Sequence, residues 1–379
     1  MKVVLLCNYP FTKVYSGSNI YNERLATALA ATDDIDLHLI TTWPAEVRDF
    51  HETITVHTVP PGRVPYYYDP VHFLRMRALL LEIEPDVVHA LSTELLYSTL
   101  AASVRNRYPT LLTVYGIAAE ETRYFKREYT KIRQHIYRLI NLQNERYVLS
   151  KIPDLVLDSS TVKEQIRDLT SAAMHIVPAG IDLDMFRAAT TANSGQTGPD
   201  IFLVTNLEYL KGVDILIDAV GKVRETFPDI SVWIGGKGPQ REELERQVSR
   251  LNLGDNVKFL GFVSDEEKYR HYATCRLVVV ASRWDCQPAA LFEAAASEKP
   301  VIASDRSNPG IVEQGMTGFI FPSEDTSALA ERIVDLLSND ELRTKMGQIA
   351  AERAVNYDWG AVAERYQEIY NQISARFTR

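Results

Sequence analysis

Two carboxylates, Asp285 and Glu293, stand eight residues apart in SRWDCQPAALFEAAASEKPVIA (282–303), a stretch otherwise rich in small residues. An ionised carboxylate only accepts hydrogen bonds and can take two from neighbouring hydroxyls, so such a pair suits a hydroxyl-rich ligand. Taken singly, each acid reads equally well as a helix-end or surface charge. A second candidate is Lys211–Gly212 in NLEYLKGVDILIDAV (206–220). A lysine in the loop that feeds a helix sets an ammonium beside unpaired backbone N–H groups, which favours an anion such as phosphate. The plainer reading is a solvated lysine next to a turn glycine. In VWIGGKGPQREELERQV (232–248), Gly236 and Gly238 would let backbone approach a phosphate. The dinucleotide fingerprint needs another glycine three residues on, where Arg241 stands, so NAD is disfavoured.

These residues must be carried by regular elements. Short β-branched or leucine-rich runs alternate with stretches of helical period, the mark of βα units and parallel sheets. One set of strands is predicted at 2–7, 36–41, 54–59, 86–90, 110–114, 154–158 and 175–178, with helices over 18–31, 70–82, 94–107, 121–150 and 161–169. A second set of strands follows at 201–205, 230–235, 256–260, 276–281, 299–303 and 318–321. Between the sets, FRAATTANSGQTGPD (186–200) has few large apolar residues and reads as a linker. The expectation is an α/β chain of two doubly wound, Rossmann-like domains facing across a cleft, since ligands bind at the C-terminal ends of such strands. Asp285 would lie in a strand-to-helix loop, Pro288 would open the helix, and Glu293 would sit near its start.

Composition narrows the function. A net charge of −9 argues against general nucleic-acid binding. No apolar run spans a bilayer, the opening MKVVLLCNYPF is too short for a signal peptide, and the three cysteines lack metal-ligand spacing, so a cytoplasmic location is expected. Residues 123–151 hold eight basic and two acidic side chains interleaved with tyrosines. That stretch suits either a solvated scaffold helix or a peripheral contact with the inner face of a membrane or an anionic acceptor. Asp182 and Asp184 fit a turn and helix cap better than a metal pair, which would need more oxygen ligands. His89 fits either a cleft or a packing position. No G-x-S-x-G occurs to support a hydrolase nucleophile.

Together, IVPAGIDLDMF, LEYLKGVDILIDAV, GGKGP, VKFLGFVSDEE and the Asp285-x7-Glu293 pair resemble the GT-B-fold retaining glycosyltransferases of family 4, the glycogen-synthase-like and mannosyltransferase-like enzymes. The resemblance runs over nearly the whole chain. It implies an N-terminal acceptor-binding domain (1–185), a nucleotide-sugar-binding domain (186–357) and a terminal helix (358–379) that returns to the first domain. It implies transfer of a hexose-type sugar from a UDP- or GDP-sugar to a saccharide, glycolipid or small-molecule acceptor, with retention and with no metal or other cofactor.

Residue by residue, the resemblance gives Lys211 the leaving diphosphate and Asp285 a hydroxyl of the donor sugar. Glu293 takes the ribose, while Phe262 and Val263 frame the base. The backbone of Cys286, Gln287, Pro288, Ala289 and Ala290 lines sugar and phosphates, with Gly17 and Gly236 in phosphate-approaching loops. The sequence departs from the family's pattern at several points. Asn206 stands where an arginine is usual, Tyr115 where a histidine is usual, Asp285 for glutamate, Gly310 for glutamate, and Ser16–Gly17 for paired glycines. Asn206 and Tyr115 are retained as donor-side and catalytic candidates. The departures define a second expectation, a catalytically degenerate member acting as a nucleotide-sugar-binding or partner subunit.

Overall fold

The computed structural model describes residues 1–7, 17–42, 53–59, 70–117, 131–308 and 310–377. The expectations for Ser16 and for residues 123–130 of the basic stretch fall outside them. The chain divides into two compact units, one built from the described residues up to Gly180 together with those from Trp359 onward, the other from the described residues of Ile181–Asp358.

The first unit carries one parallel sheet of seven strands: β1 (Lys2–Leu6), β2 (Asp36–Thr41), β3 (Ile54–Thr58), β4 (Val87–Ala90), β5 (Thr110–Val114), β6 (Asp154–Leu157) and β7 (Ala173–Ile176). Their order is β3-β2-β1-β4-β5-β6-β7, so the winding reverses beside β1. Val3 to Leu6 and Val87 to Ala90 are inaccessible to solvent. Both faces of a parallel sheet are covered, which is why these strands read as unbroken apolar runs. Helices α1 (Gly17–Ala30), α2 (Pro70–Ile83), α3 (Leu95–Val104), α4 (Lys131–Lys151) and α5 (Ser160–Ile166) link the strands. Ser159 caps α5 by accepting from the Val162 N–H. In α4, Leu139, Ile140 and Tyr147 are exposed while Asn144 and Glu145 are buried.

His89 proves to be a packing residue. It is inaccessible, with Nδ1 2.8 Å from the Tyr370 hydroxyl and Nε2 2.7 Å from Thr113 Oγ1. Tyr370 and Tyr366 belong to the long C-terminal helix, and the Tyr366 hydroxyl also meets that of Tyr21 at 3.1 Å. Burial pushes the His89 pKa down to about 3, from an ordinary 6.5. The unfolded chain therefore binds a proton that the folded one refuses between these pH values. The stability His89 contributes is intact above pH 6.5 and is lost as pH falls below it, by about 1.4 kcal/mol per pH unit. Urea unfolding at pH 7 and pH 5 should show this loss, and it should shrink in His89→Gln; equal pH dependence in both proteins would rule out the assignment.

The second unit has strands β8 (Ile201–Val204), β9 (Val232–Gly235), β10 (Val257–Gly261), β11 (Val278–Val280), β12 (Val301–Ser304) and β13 (Gly318–Phe321). They form two three-stranded parallel sheets, β10-β9-β8 and β11-β12-β13, joined by a parallel bridge from Ile201 to Leu277. The winding therefore reverses between β8 and β11. Helices α6 (Leu183–Ala192), α7 (Val213–Val223), α8 (Arg241–Arg250), α9 (Asp265–Thr274), α10 (Ala289–Ala296), α11 (Thr326–Ser338) and α12 (Asp340–Ala354) complete it, and α13 (Trp359–Phe377) is the long helix of the first unit.

Three expectations are corrected here. The first part of the linker predicted over 186–200 is helix α6, as far as Ala192, because Phe186 is buried and stacks edge-on against Tyr269 and Tyr272. A single large ring was enough to anchor a segment that composition marked as loose. Asp182 occupies the cap position of α6 without bonding its backbone; its carboxylate accepts from the Tyr269 hydroxyl at 3.4 Å. Pro288 precedes α10 as its cap, in an extended conformation, and Ala289 is the first helical residue.

Candidate active site

Ligands of doubly wound sheets bind where the winding reverses, at the C-terminal ends of the strands. In the second unit that point lies between β8 and β11. The loops leaving these two strands carry Asn206 to Gly212 and Ala281 to Pro288.

The loop after β8 is locked to the glycine loop after β9. Leu207 N–H donates to the Lys237 carbonyl at 2.9 Å and Gln240 N–H to the Leu207 carbonyl at 3.0 Å. Gly236 has φ +122°, and a Cβ there would collide with the Thr205 carbonyl. Only glycine meets both demands. Asn206 is exposed on this loop. The chain then forms a short 3-10 turn, Tyr209–Lys211, and Gly212 reverses it at φ +63° into α7. A Cβ on Gly212 would strike the Ala281 carbonyl at the end of β11. The Lys-Gly pair of the sequence thus brings the lysine turn against the neighbouring strand.

Lys211 Nζ lies 2.6 Å from Asp285 Oδ2, and both side chains are largely buried, 22% and 15% exposed. The two residues singled out from separate motifs, 74 positions apart, therefore meet. Asp285 is held by its N–H to the Arg306 carbonyl at 3.1 Å, and its Oδ1 accepts from Gln287 N–H at 3.3 Å. Cys286 and Pro288 are buried, and Ala289 and Ala290 form the first turn of α10. Ala290 and Ala294 to Ala296 are buried along this helix, small enough to seat it closely within the core.

Glu293 lies one turn into α10. Its Oε1 accepts from Lys268 Nζ at 2.9 Å, with the carboxylate 13% exposed. Burial alone would lower the Lys268 pKa, but Glu293 and then Asp265 more than offset it, and the pKa is raised. Phe262, 63% exposed, follows Gly261 at the end of β10, with Lys237 Nζ 5.7 Å from its ring centre. Val263 packs on Gly235.

Sequence reasoning passed over Arg283, which organises the site. It is 7% exposed. Its guanidinium donates to Asp214 Oδ1 and Oδ2 at 2.8 and 2.7 Å, to the Tyr209 carbonyl at 2.7 Å and to Glu324 at 2.9 Å. It also lies 3.8 Å from the centre of the Tyr209 ring, and its own N–H donates to the Leu210 carbonyl at 2.8 Å. One side chain thus ties the Lys211 turn to the strand leading into Asp285. The available signal was a charged residue directly after the buried run LVVVAS.

Two candidates belong to the first unit. Tyr115, at the end of β5, donates to Asn22 Oδ1 at 2.5 Å and meets the Tyr21 ring edge-on. Burial and then neighbouring tyrosines raise its pKa well above the usual range, so it stays a neutral donor. Gly17 opens α1. Among the described residues, no group of three or more His, Cys, Asp or Glu is placed to hold a metal ion.

Two doubly wound units with these loops at the reversal point define the GT-B fold class of glycosyltransferases. Residues 15–185 match the description Glycosyltransferase Family 4 and residues 188–353 match Glycosyl transferases group 1. Spore coat protein SA of Bacillus subtilis is 30% identical over 62% of this chain and 72% of its own length. Among solved structures, sucrose-phosphate synthase from Thermosynechococcus elongatus shares the fold with a TM-score of 0.81, at 21% identity over 99% of each chain. Anabaena HepE, solved in complex with UDP, follows at 0.77 and 18% identity over 98% of this chain and 100% of that one. The chain belongs to the family 4, group 1 glycosyltransferases and is a transferase.

Proposed function

We propose that the chain moves a hexose-type sugar from a UDP- or GDP-sugar to an acceptor, with retention of configuration and without a metal ion. The observation that carries this reading is the Lys211–Asp285 pair, a cation and an acid 2.6 Å apart at the reversal point of the sheet. The two charges neutralise each other. A diphosphate would draw the ammonium away and leave Asp285 to accept from a sugar hydroxyl. As the bond between the anomeric carbon and the diphosphate breaks, its electron pair stays on phosphate oxygen, while the acceptor hydroxyl oxygen bonds that carbon from the same face and its proton passes to the departing phosphate. Lys211 and the N-termini of α7 and α10 then face the charge that develops, which lowers the barrier more than it strengthens substrate binding. Glu293 accepts from the ribose, and the exposed ring of Phe262 offers the base a face to stack on. The UDP held by HepE favours uridine as the base.

One observation favours the alternative of a nucleotide-sugar-binding subunit. Asn206 supplies no charge where the family has arginine, and Arg283 is committed to Asp214 and Glu324 rather than replacing it. Calorimetric titration with UDP and GDP, followed by release assays with the matching hexose donors in EDTA, separates the two. Binding with EDTA-resistant turnover is the expected result. Binding without turnover would establish the subunit, and no binding of either nucleotide would refute both.

A further inference from the structure

We infer that Lys268 is a positioning residue for recognition of the donor's ribose, acting by holding the Glu293 carboxylate in place. The inference rests on the proposed role of Glu293. Lys268 lies 25 residues before Glu293 on a different helix, and nothing in the five family motifs singles it out.

Lys268 is fixed from several sides. Its Nζ bonds Glu293 Oε1 at 2.9 Å and lies 3.4 Å from Asp265. It also sits 5.5 and 5.9 Å from the ring centres of Tyr269 and Phe186. A lysine only 20% exposed gives up much hydration, which two acids and two π faces replace. Glutamate has three side-chain torsions. Gripping a pair of vicinal hydroxyls requires that its carboxylate be held in one orientation. Lys268 supplies this through a directed bond that fixes one oxygen. The fully buried ring of Tyr272 lies beside Glu293 as well, and its hydroxyl is held protonated by burial and then by that carboxylate.

The position of Lys268 in the chain adds to the case. Helix α9 starts just after Phe262 and Val263, the residues proposed to face the base. Its first turn is pinned by a reciprocal cap in which Ser264 Oγ accepts from Glu267 N–H and Glu267 Oε2 accepts from Ser264 N–H at 2.9 Å. Residues 262–268 thus connect the surface offered to the base with the cation that holds the ribose acid.

The test is calorimetric titration of the whole chain with UDP and GDP and with their 2′-deoxy and 3′-deoxy forms. Proteins compared are the wild type, Lys268→Met, Lys268→Gln and Lys268→Arg. Wild type should prefer the ribonucleotide by about tenfold or more, the size of hydrogen bonds to a charged acceptor. Lys268→Met and Lys268→Gln should cut that preference to about threefold or less, and Lys268→Arg should keep most of it. If the neutral variants bind ribo and deoxy forms more weakly by the same factor, or keep the full preference, Lys268 does not position Glu293. A wild type that binds both forms equally well would instead remove Glu293 from the ribose, and this inference with it. Lys268→Gln keeps a polar donor at the site, so it answers the question should Lys268→Met fail to fold.

Discussion

Lys211→Ala is expected to lower turnover by about two to four orders of magnitude while the protein stays folded. Its ammonium is the charge nearest Asp285, and it stands where the loops after β8 and β11 meet. Charge on a departing diphosphate is largest in the transition state, so the loss should fall on kcat more than on KM. Stability should fall less steeply than turnover. Removing the lysine leaves the largely buried Asp285 without its counter-charge, which costs about 1–3 kcal/mol and lowers the unfolding temperature by roughly 2–12 °C. Donor-consumption kinetics and thermal melting together decide. A rate within about threefold of wild type would take Lys211 out of the chemistry, because an electrostatic contribution of this kind cannot be so small.

Arg283→Met should strike both stability and rate. The guanidinium is buried and makes two bonds to Asp214, one to the Tyr209 carbonyl and one to Glu324. Glu324 is 60% exposed and counts for little. Losing the fork on Asp214 and the buried carbonyl bond should cost about 2–4 kcal/mol, an unfolding temperature lower by roughly 5–15 °C. Turnover in the surviving folded protein should fall by about 10- to 100-fold, because the Lys211 turn loses its tie to the Asp285 strand. Arg283→Lys should recover only part of either effect, since an ammonium cannot fork to two carboxylate oxygens and a carbonyl at once. Normal melting together with normal kinetics in Arg283→Met would show that the turn holds itself.

The contrast between Lys211 and Arg283 shows what was legible in the sequence. Strands were easy to place, since a parallel strand buried on both faces reads as a short apolar run, and VVLL and LVVVAS are too short for a helix of ordinary length. Lys211, Asp285 and Glu293 were legible because each sits beside a glycine, proline or small-residue signal that fixes a loop or a helix start. Arg283 was not, because its partner Asp214 is 69 residues away and no local spacing encodes that pairing. Lys268 escaped notice for the same reason. Phe186 was misread because segment composition averages away the one aromatic ring that decides the packing. Local chemistry is written locally, whereas the groups that hold it in register come from distant parts of the chain.

The terminal helix has a consequence for how the molecule is made. Tyr366 and Tyr370 complete the core begun by β1 and α1, yet all of the second unit lies between them in the chain. The residues from Ile181 to Asp358 are therefore translated before them. The first unit can complete its core only after the second has been made. Until then its histidine lacks the Tyr370 hydroxyl, which comes with the nineteen residues of α13.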